Sequence, residues 1–130
     1  MTCRWLPLAL LFIATGILFL LTGCTGGRAV EAYPTATSGD ARRGKTAIEQ
    51  YRCGACHEIP GIPGARGLVG PSLAKFAYRS FVGGEVPNIP ENLVKWIMSP
   101  QSIEPATAMP TLGVNEQQAR DTAAYLYTLR

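Results

Sequence analysis

The stretch Cys53-Gly54-Ala55-Cys56-His57 constrains this chain more than any other, because two thiols three positions apart and an adjoining imidazole are the attachment signature of a c-type haem. Each thiol adds across one vinyl group of the porphyrin. About one helical turn between the thiols spans those vinyls and sets the next residue over the iron. Imidazole nitrogen is a good iron ligand, and His57 is the only histidine in the chain. Two other chemistries use a C-x-x-C pair. A thioredoxin-like redox motif wants a βαβ context, which the surrounding residues do not offer. A zinc site wants four ligands, and beyond Cys53, Cys56 and His57 the chain after its leader has only Cys24.

The N-terminal segment belongs to export rather than to the fold. Arg4 precedes an apolar run from Leu6 to Leu21, and Leu21-Thr22-Gly23-Cys24 follows. A positive start, a short apolar stretch and small residues before a cut site describe a secretory signal peptide. The last four residues resemble a bacterial lipobox, whose cysteine is lipidated and becomes the new N-terminus. An uncleaved membrane helix is the alternative, but the run falls short of the ~20 residues a span needs. The expected division is a signal peptide over 1–23, a lipid-anchored tether over 24–39 and one domain over 40–130. The four cysteines are then all assigned: Cys3 leaves with the leader, Cys24 takes the lipid, and Cys53 and Cys56 take the haem. The tether is rich in Thr, Gly, Ala and Ser, a flexible composition with a root-mean-square reach of roughly 20 Å.

Charge excludes one class of partner. The chain has twelve basic and nine acidic residues, and loss of the leader removes only Arg4, leaving a formal charge of +2. No basic cluster of the kind that binds nucleic acid is present. Eight of the basic residues lie between Arg28 and Arg79, a modest bias that suits an acidic redox partner.

The domain reads as helical throughout, since no segment holds a period of two. Asp40 caps a helix to about Arg52, with Ala41, Gly44, Ile48 and Tyr51 on one face. Residues 58–70 hold four glycines and two prolines and form a loop around one haem edge. Pro71 opens a short helix over 72–80 with an apolar face of Leu73, Phe76, Ala77, Ser80 and Phe81. Gly83-Gly84 ends it. Pro90 opens a third helix to about Met98. Asn115, with Gln118 three residues on and Val114 before it, has the pattern of a capping box with a hydrophobic staple for the last helix. A domain this small buries a limited core, and covalent haem supplies further apolar mass.

The sixth iron ligand decides between carrying electrons and doing chemistry. Met98 sits among helical core residues, whereas Met109 lies in the irregular stretch Ala106-Thr107-Ala108-Met109-Pro110, with no helical face to fill. Met109 is therefore the expected axial ligand opposite His57. His/Met ligation closes both axial positions and raises the potential, which favours one-electron transfer. An open iron, as in a small peroxidase-like enzyme or a gas sensor, is the competing reading. Electron exit is expected at the haem edge, near Ala55 and Ile59.

The stretches GDARRGKTAIEQYRCGACH, GPSL, the Met-Pro pair and the final AYLYTLR resemble class I, mitochondrial-type cytochrome c over residues 39–130. VGPSL, PNIPENLVKWI, SPQSIEP and AMP are more similar still to the cytochrome c domain of bacterial haem–copper oxidase subunit II. The resemblance implies an all-α fold of about four short helices around one covalent haem c. It further implies that the Pro71 carbonyl accepts a hydrogen bond from His57, that Arg79 and Trp96 donate to haem propionates, and that Gly44 and Ile48 cross Tyr125 and Leu126. Related domains place Thr or Ser where Ile89 stands, so the third helix is expected to lack a side-chain cap. The given sequence has no copper-binding domain before the haem motif, so a freestanding lipid-anchored carrier is expected. It would lie on the outer face of the bacterial cytoplasmic membrane. Its donor would be a quinol-oxidising complex or a dehydrogenase, and its acceptor a terminal oxidase. The alternative is the electron-accepting subunit of a dehydrogenase.

Overall fold

The computed structural model describes residues 37–130; the expected leader, Cys24 and most of the tether lie outside the described residues. Helix α1 spans Ala41–Gln50. Asp40 Oδ1 accepts from the N–H groups of Arg42 at 2.8 Å and Arg43 at 3.0 Å, which satisfies two donors of the first turn. Gly44, Ala47 and Ile48 form its buried face. The helix stops two residues before the expected Arg52, because Arg52 itself takes a left-handed conformation with φ +55°. That kink turns the chain into the Cys53–Ala55 3-10 turn.

The expected helix over 72–80 is a correction. Only one 3-10 turn forms, Phe76–Tyr78, after Lys75 at φ +56°. Tertiary partners take the backbone groups that a helix would use. Leu73 N–H donates to Glu58 O at 2.8 Å and Ala77 N–H to Leu129 O at 3.1 Å. The Ser72 carbonyl accepts from Arg79. A 3-10 turn keeps residues three apart on one side, so Phe76 still reaches the core while Leu73 packs against it, whereas Ser80 and Phe81 lie past the turn and are exposed.

Two short strands follow, β1 (Phe81–Val82) and β2 (Val86–Pro87), in an antiparallel pair. Gly83 and Gly84 turn the chain between them at φ +63° and +83°. Two-residue strands are too short to show a period of two, and the fold is all-α as expected.

Helix α2 spans Pro90–Met98 with Pro90 in the first turn and no side-chain cap at Ile89. Its inward face is Leu93, Val94 and Ile97. Helix α3 spans Glu116–Leu126 and has the expected capping box. Gln118 N–H donates to Asn115 Oδ1 at 2.9 Å, and Asn115 N–H donates to Gln118 Oε1 at 3.3 Å.

The first and last helices cross at Gly44, where α1 has no room for a side chain. A Cβ at Gly44 would overlap the Asp121 carbonyl and stand 3.0 Å from Tyr125 Cβ. Residues 37–39, the end of the segment read as tether, are packed here too. Thr37 is buried, and a Cβ at Gly39 would meet Asp121 N at 2.6 Å. Asp121 closes the crossing, accepting from Asp40 N–H at 2.7 Å, Arg43 Nε and Nη2 at 2.8 Å, and Gln117 Nε2 at 3.0 Å. The Arg43 guanidinium leads these donors in holding the Asp121 carboxyl at about 2, against the opposing pull of burial.

A carboxyl held below its ordinary value stabilises the fold above about pH 4, and that contribution fades as pH falls toward about 2. Asp121→Asn is expected to flatten this acid limb in denaturant titrations across that interval, and to lower stability at neutral pH.

Candidate haem-binding site

The residues that open the site are held by backbone geometry rather than by a long helix. Ala55 N–H donates to Arg52 O at 2.9 Å, and the N–H groups of Cys56 and His57 both reach Cys53 O, at 3.2 and 3.0 Å. This tight turn places Cys53, Cys56 and His57 together, each half-buried. The loop after it folds back onto the turn. Gly67 N–H donates to Gly54 O at 3.1 Å, and Gly70 N–H to Cys56 O at 2.8 Å. A Cβ at Gly54 would stand 2.6 Å from Ala65 Cβ, and one at Gly67 would overlap the Ala55 carbonyl. Tyr125 OH donates to Pro60 O at 2.7 Å, tying the loop to α3. Ala55 is exposed, whereas Ile59, the other residue expected near the electron exit, is buried at 2% exposure and belongs to the core.

His57 Nδ1 lies 2.8 Å from Pro71 O. A carbonyl can only accept, so Nδ1 carries the proton and Nε2 keeps a free lone pair, the form in which imidazole binds a metal. The residue before Pro71 fixes the ring plane. A Cβ at Gly70 would overlap the imidazole and stand 2.6 Å from Nδ1. Sequence reasoning found Pro71 through the resemblance but missed Gly70, and its only signal was the Gly-Pro pair.

The other expected residues occupy separate places around the core. Arg79 Nη2 donates to the Ser72 carbonyl, and its guanidinium stands 5.3 Å over the Phe76 ring. Burial pulls the Arg79 pKa down. The Arg79 carbonyl accepts from Asn88 Nδ2 at 3.0 Å, and Asn88 Oδ1 accepts from Tyr127 OH at 3.0 Å. Burial is also the main reason the Tyr127 hydroxyl is pushed up to about 12. Trp96 is half-buried with its ring against Gly83. Its indole N–H makes no hydrogen bond among the described residues and is not a buried orphan, so it remains available as a donor. Met98 packs on the core as filler. Met109 is half-buried, in a loop that no hydrogen bond joins to the Cys53–His57 turn. Its carbonyl accepts from Gln101 Nε2 at 2.7 Å.

This donor set fits a covalent haem better than the alternatives. Among the described residues no group of three or more His, Cys, Asp or Glu side chains is arranged to hold a metal ion by itself. Burial pushes the Cys53 thiol up, the opposite of the depressed value of a redox-active thiol.

A model of the family described as cytochrome c matches residues 41–130. The chain belongs to the cytochrome c family. Curated relatives agree. Cytochrome c oxidase subunit 2 of Alkalihalophilus pseudofirmus is 33% identical over 98 residues, covering 75% of this chain and 27% of that protein. The cytochrome c-type cyt cy of Rhodobacter capsulatus is 34% identical over 109 residues, 77% of this chain and 54% of the relative. Cytochrome c oxidase subunit 2 of Bacillus sp. strain PS3 is 32% identical over 101 residues, 75% and 28% of the two chains. The chain thus spans between about a quarter and about half the length of these relatives. No solved structure matches. As a cytochrome c the chain carries one covalent haem c, and it is an electron-carrying protein.

Gly70→Ala is expected to drive the imidazole off the Pro71 carbonyl and to cost about 1–3 kcal/mol in denaturant unfolding, as overpacking against a fixed ring does.

Proposed function

We propose that this chain is a membrane-tethered carrier of single electrons in a respiratory chain, handing them to a terminal oxidase. Cys53 and Cys56 would hold the haem through thioethers, and His57 and Met109 would supply the ligands to its iron. The observation that carries this reading is the His57–Pro71 hydrogen bond beside the thiol pair, which leaves Nε2 ready for iron. The bound haem supplies reversible one-electron chemistry between ferric and ferrous iron. The chain's own residues set the conditions for it. Pro71 fixes the imidazole tautomer and strengthens the ligand, as outer-shell acceptors do. A neutral thioether from Met109 favours the ferrous form. Trp96 and Arg79 would be donors to the propionates, Trp96 through its indole N–H and Arg79 through guanidinium donors beyond the one given to Ser72.

Two of the relatives are named as cytochrome c oxidase subunits, which supports a terminal oxidase as acceptor. A quinol-oxidising complex or a dehydrogenase fits as donor. The resemblance of Leu21-Thr22-Gly23-Cys24 to a lipobox supports anchoring of Cys24 on the outer face of the bacterial cytoplasmic membrane. A tether raises the effective concentration of the carrier near membrane-bound partners without new contacts.

The oxidised protein is expected to show the weak far-red absorption band of a thioether–iron bond, and Met109→Ala to abolish it. A wild type that lacks the band and binds carbon monoxide readily would overturn the carrier reading. Cys24→Ser, expressed with the full leader, is expected to move the haem-stained protein from the membrane pellet to the soluble fraction. Retention in the pellet would count against lipid anchoring.

A further inference from the structure

The loop that presents Met109 has little packing of its own. Pro105, Ala106, Ala108, Pro110, Thr111 and Leu112 are all exposed. Pro110 has no N–H, so the backbone beside Met109 lacks one of its ordinary restraints. One side chain compensates. Gln101 Nε2 donates to the Met109 carbonyl at 2.7 Å, and Gln101 Oε1 accepts from the Thr111 hydroxyl at 2.7 Å. The amide therefore grips the chain on both sides of Pro110.

Gln101 is itself well placed to act as a post. It sits in the 3-10 turn Pro100–Ser102, whose Pro100 is buried. The N–H groups of Ile103 and Glu104 both donate to the Pro100 carbonyl, at 3.0 Å. Inside the loop, Met109 N–H reaches Thr107 Oγ1 at 3.3 Å, the weaker of the two backbone restraints on this residue.

We infer that Gln101 is a positioning residue for the Met109 sulfur, and that it holds the loop shut against exchange of this ligand. The inference rests on the reading of Met109 as an axial ligand. With the amide removed, the loop opens more often and the sulfur spends more time away from the iron. Loss of two partly solvated hydrogen bonds raises such an opening equilibrium on the order of tenfold. An outside ligand competes only for the open form, so its apparent affinity rises by the same factor.

The test uses the full-length, haem-loaded ferric protein, with imidazole as the competing ligand and the far-red thioether band as the readout. Gln101→Ala is expected to lower the apparent Kd for imidazole on the order of tenfold, and to lower the reduction potential measured in the presence of imidazole. Far-UV thermal unfolding should stay close to wild type. Gln101→Glu keeps an acceptor for Thr111 but loses the donor to Met109, and should behave like Gln101→Ala. Thr111→Val keeps the Met109 bond and should shift the Kd by only about fivefold or less. An unchanged imidazole affinity in Gln101→Ala, with the band present in wild type, overturns the positioning role and leaves the Met109 assignment standing. An affinity change matched by an equal loss of global stability also overturns it. Absence of the band in wild type removes the Met109 reading and this inference with it.

Discussion

The crossing of α1 and α3 at Gly44 is the constraint on which the remaining geometry depends. Two helix backbones approach so closely there that a single methyl group would occupy the Asp121 carbonyl. Close approach fixes how α1 lies against α3, and the left-handed Arg52 beyond its end leads into the C-x-x-C-H turn. Asp121 ties the same crossing to the helix start, through the Asp40 N–H and the Arg43 guanidinium. One buried carboxylate thus links the first residues of the domain to its last helix. Its donors lie partly in water, so the link is more an alignment device than a large store of stability.

From this frame the site is assembled by glycines and carbonyls. Gly54 and Gly67 let the loop lie flat on the turn, and Gly70 lets it touch the His57 ring. The Pro71 carbonyl then selects one imidazole tautomer. Backbone groups are well suited to this work, because their positions follow from the fold and their chemistry does not change with pH. Tyr125 extends the arrangement by holding Pro60 from α3, so the helix that crosses α1 also steadies the loop that covers the turn.

Much of this was legible in the residue order. The Asn115–Gln118 capping box, the Asp40 cap and the proline start at Pro90 act between neighbours in sequence, and each element formed where they stand. The uncapped Ile89 was legible for the same reason. The stretch 72–80 was misread because its apolar spacing suits both an α-helix and a 3-10 turn. The choice was made by Glu58 and Leu129, remote residues that accept its N–H groups. Ile59 was placed at a haem edge by its nearness to the motif, yet it packs inside, because the loop reverses immediately and Ile59 N–H bonds to Ala65 O.

The sequence by itself determined which residues point to haem and where the helices start: two thiols and an imidazole at a spacing that suits haem, a methionine with no helix face to fill, and the local caps of the helices. These are properties of neighbouring residues, and they need no partner from elsewhere in the chain. Only the tertiary structure decided how His57 and Met109 are held. The close passage of Gly70 over His57 and the grip of Gln101 on Met109 depend on distances between segments that no local pattern encodes.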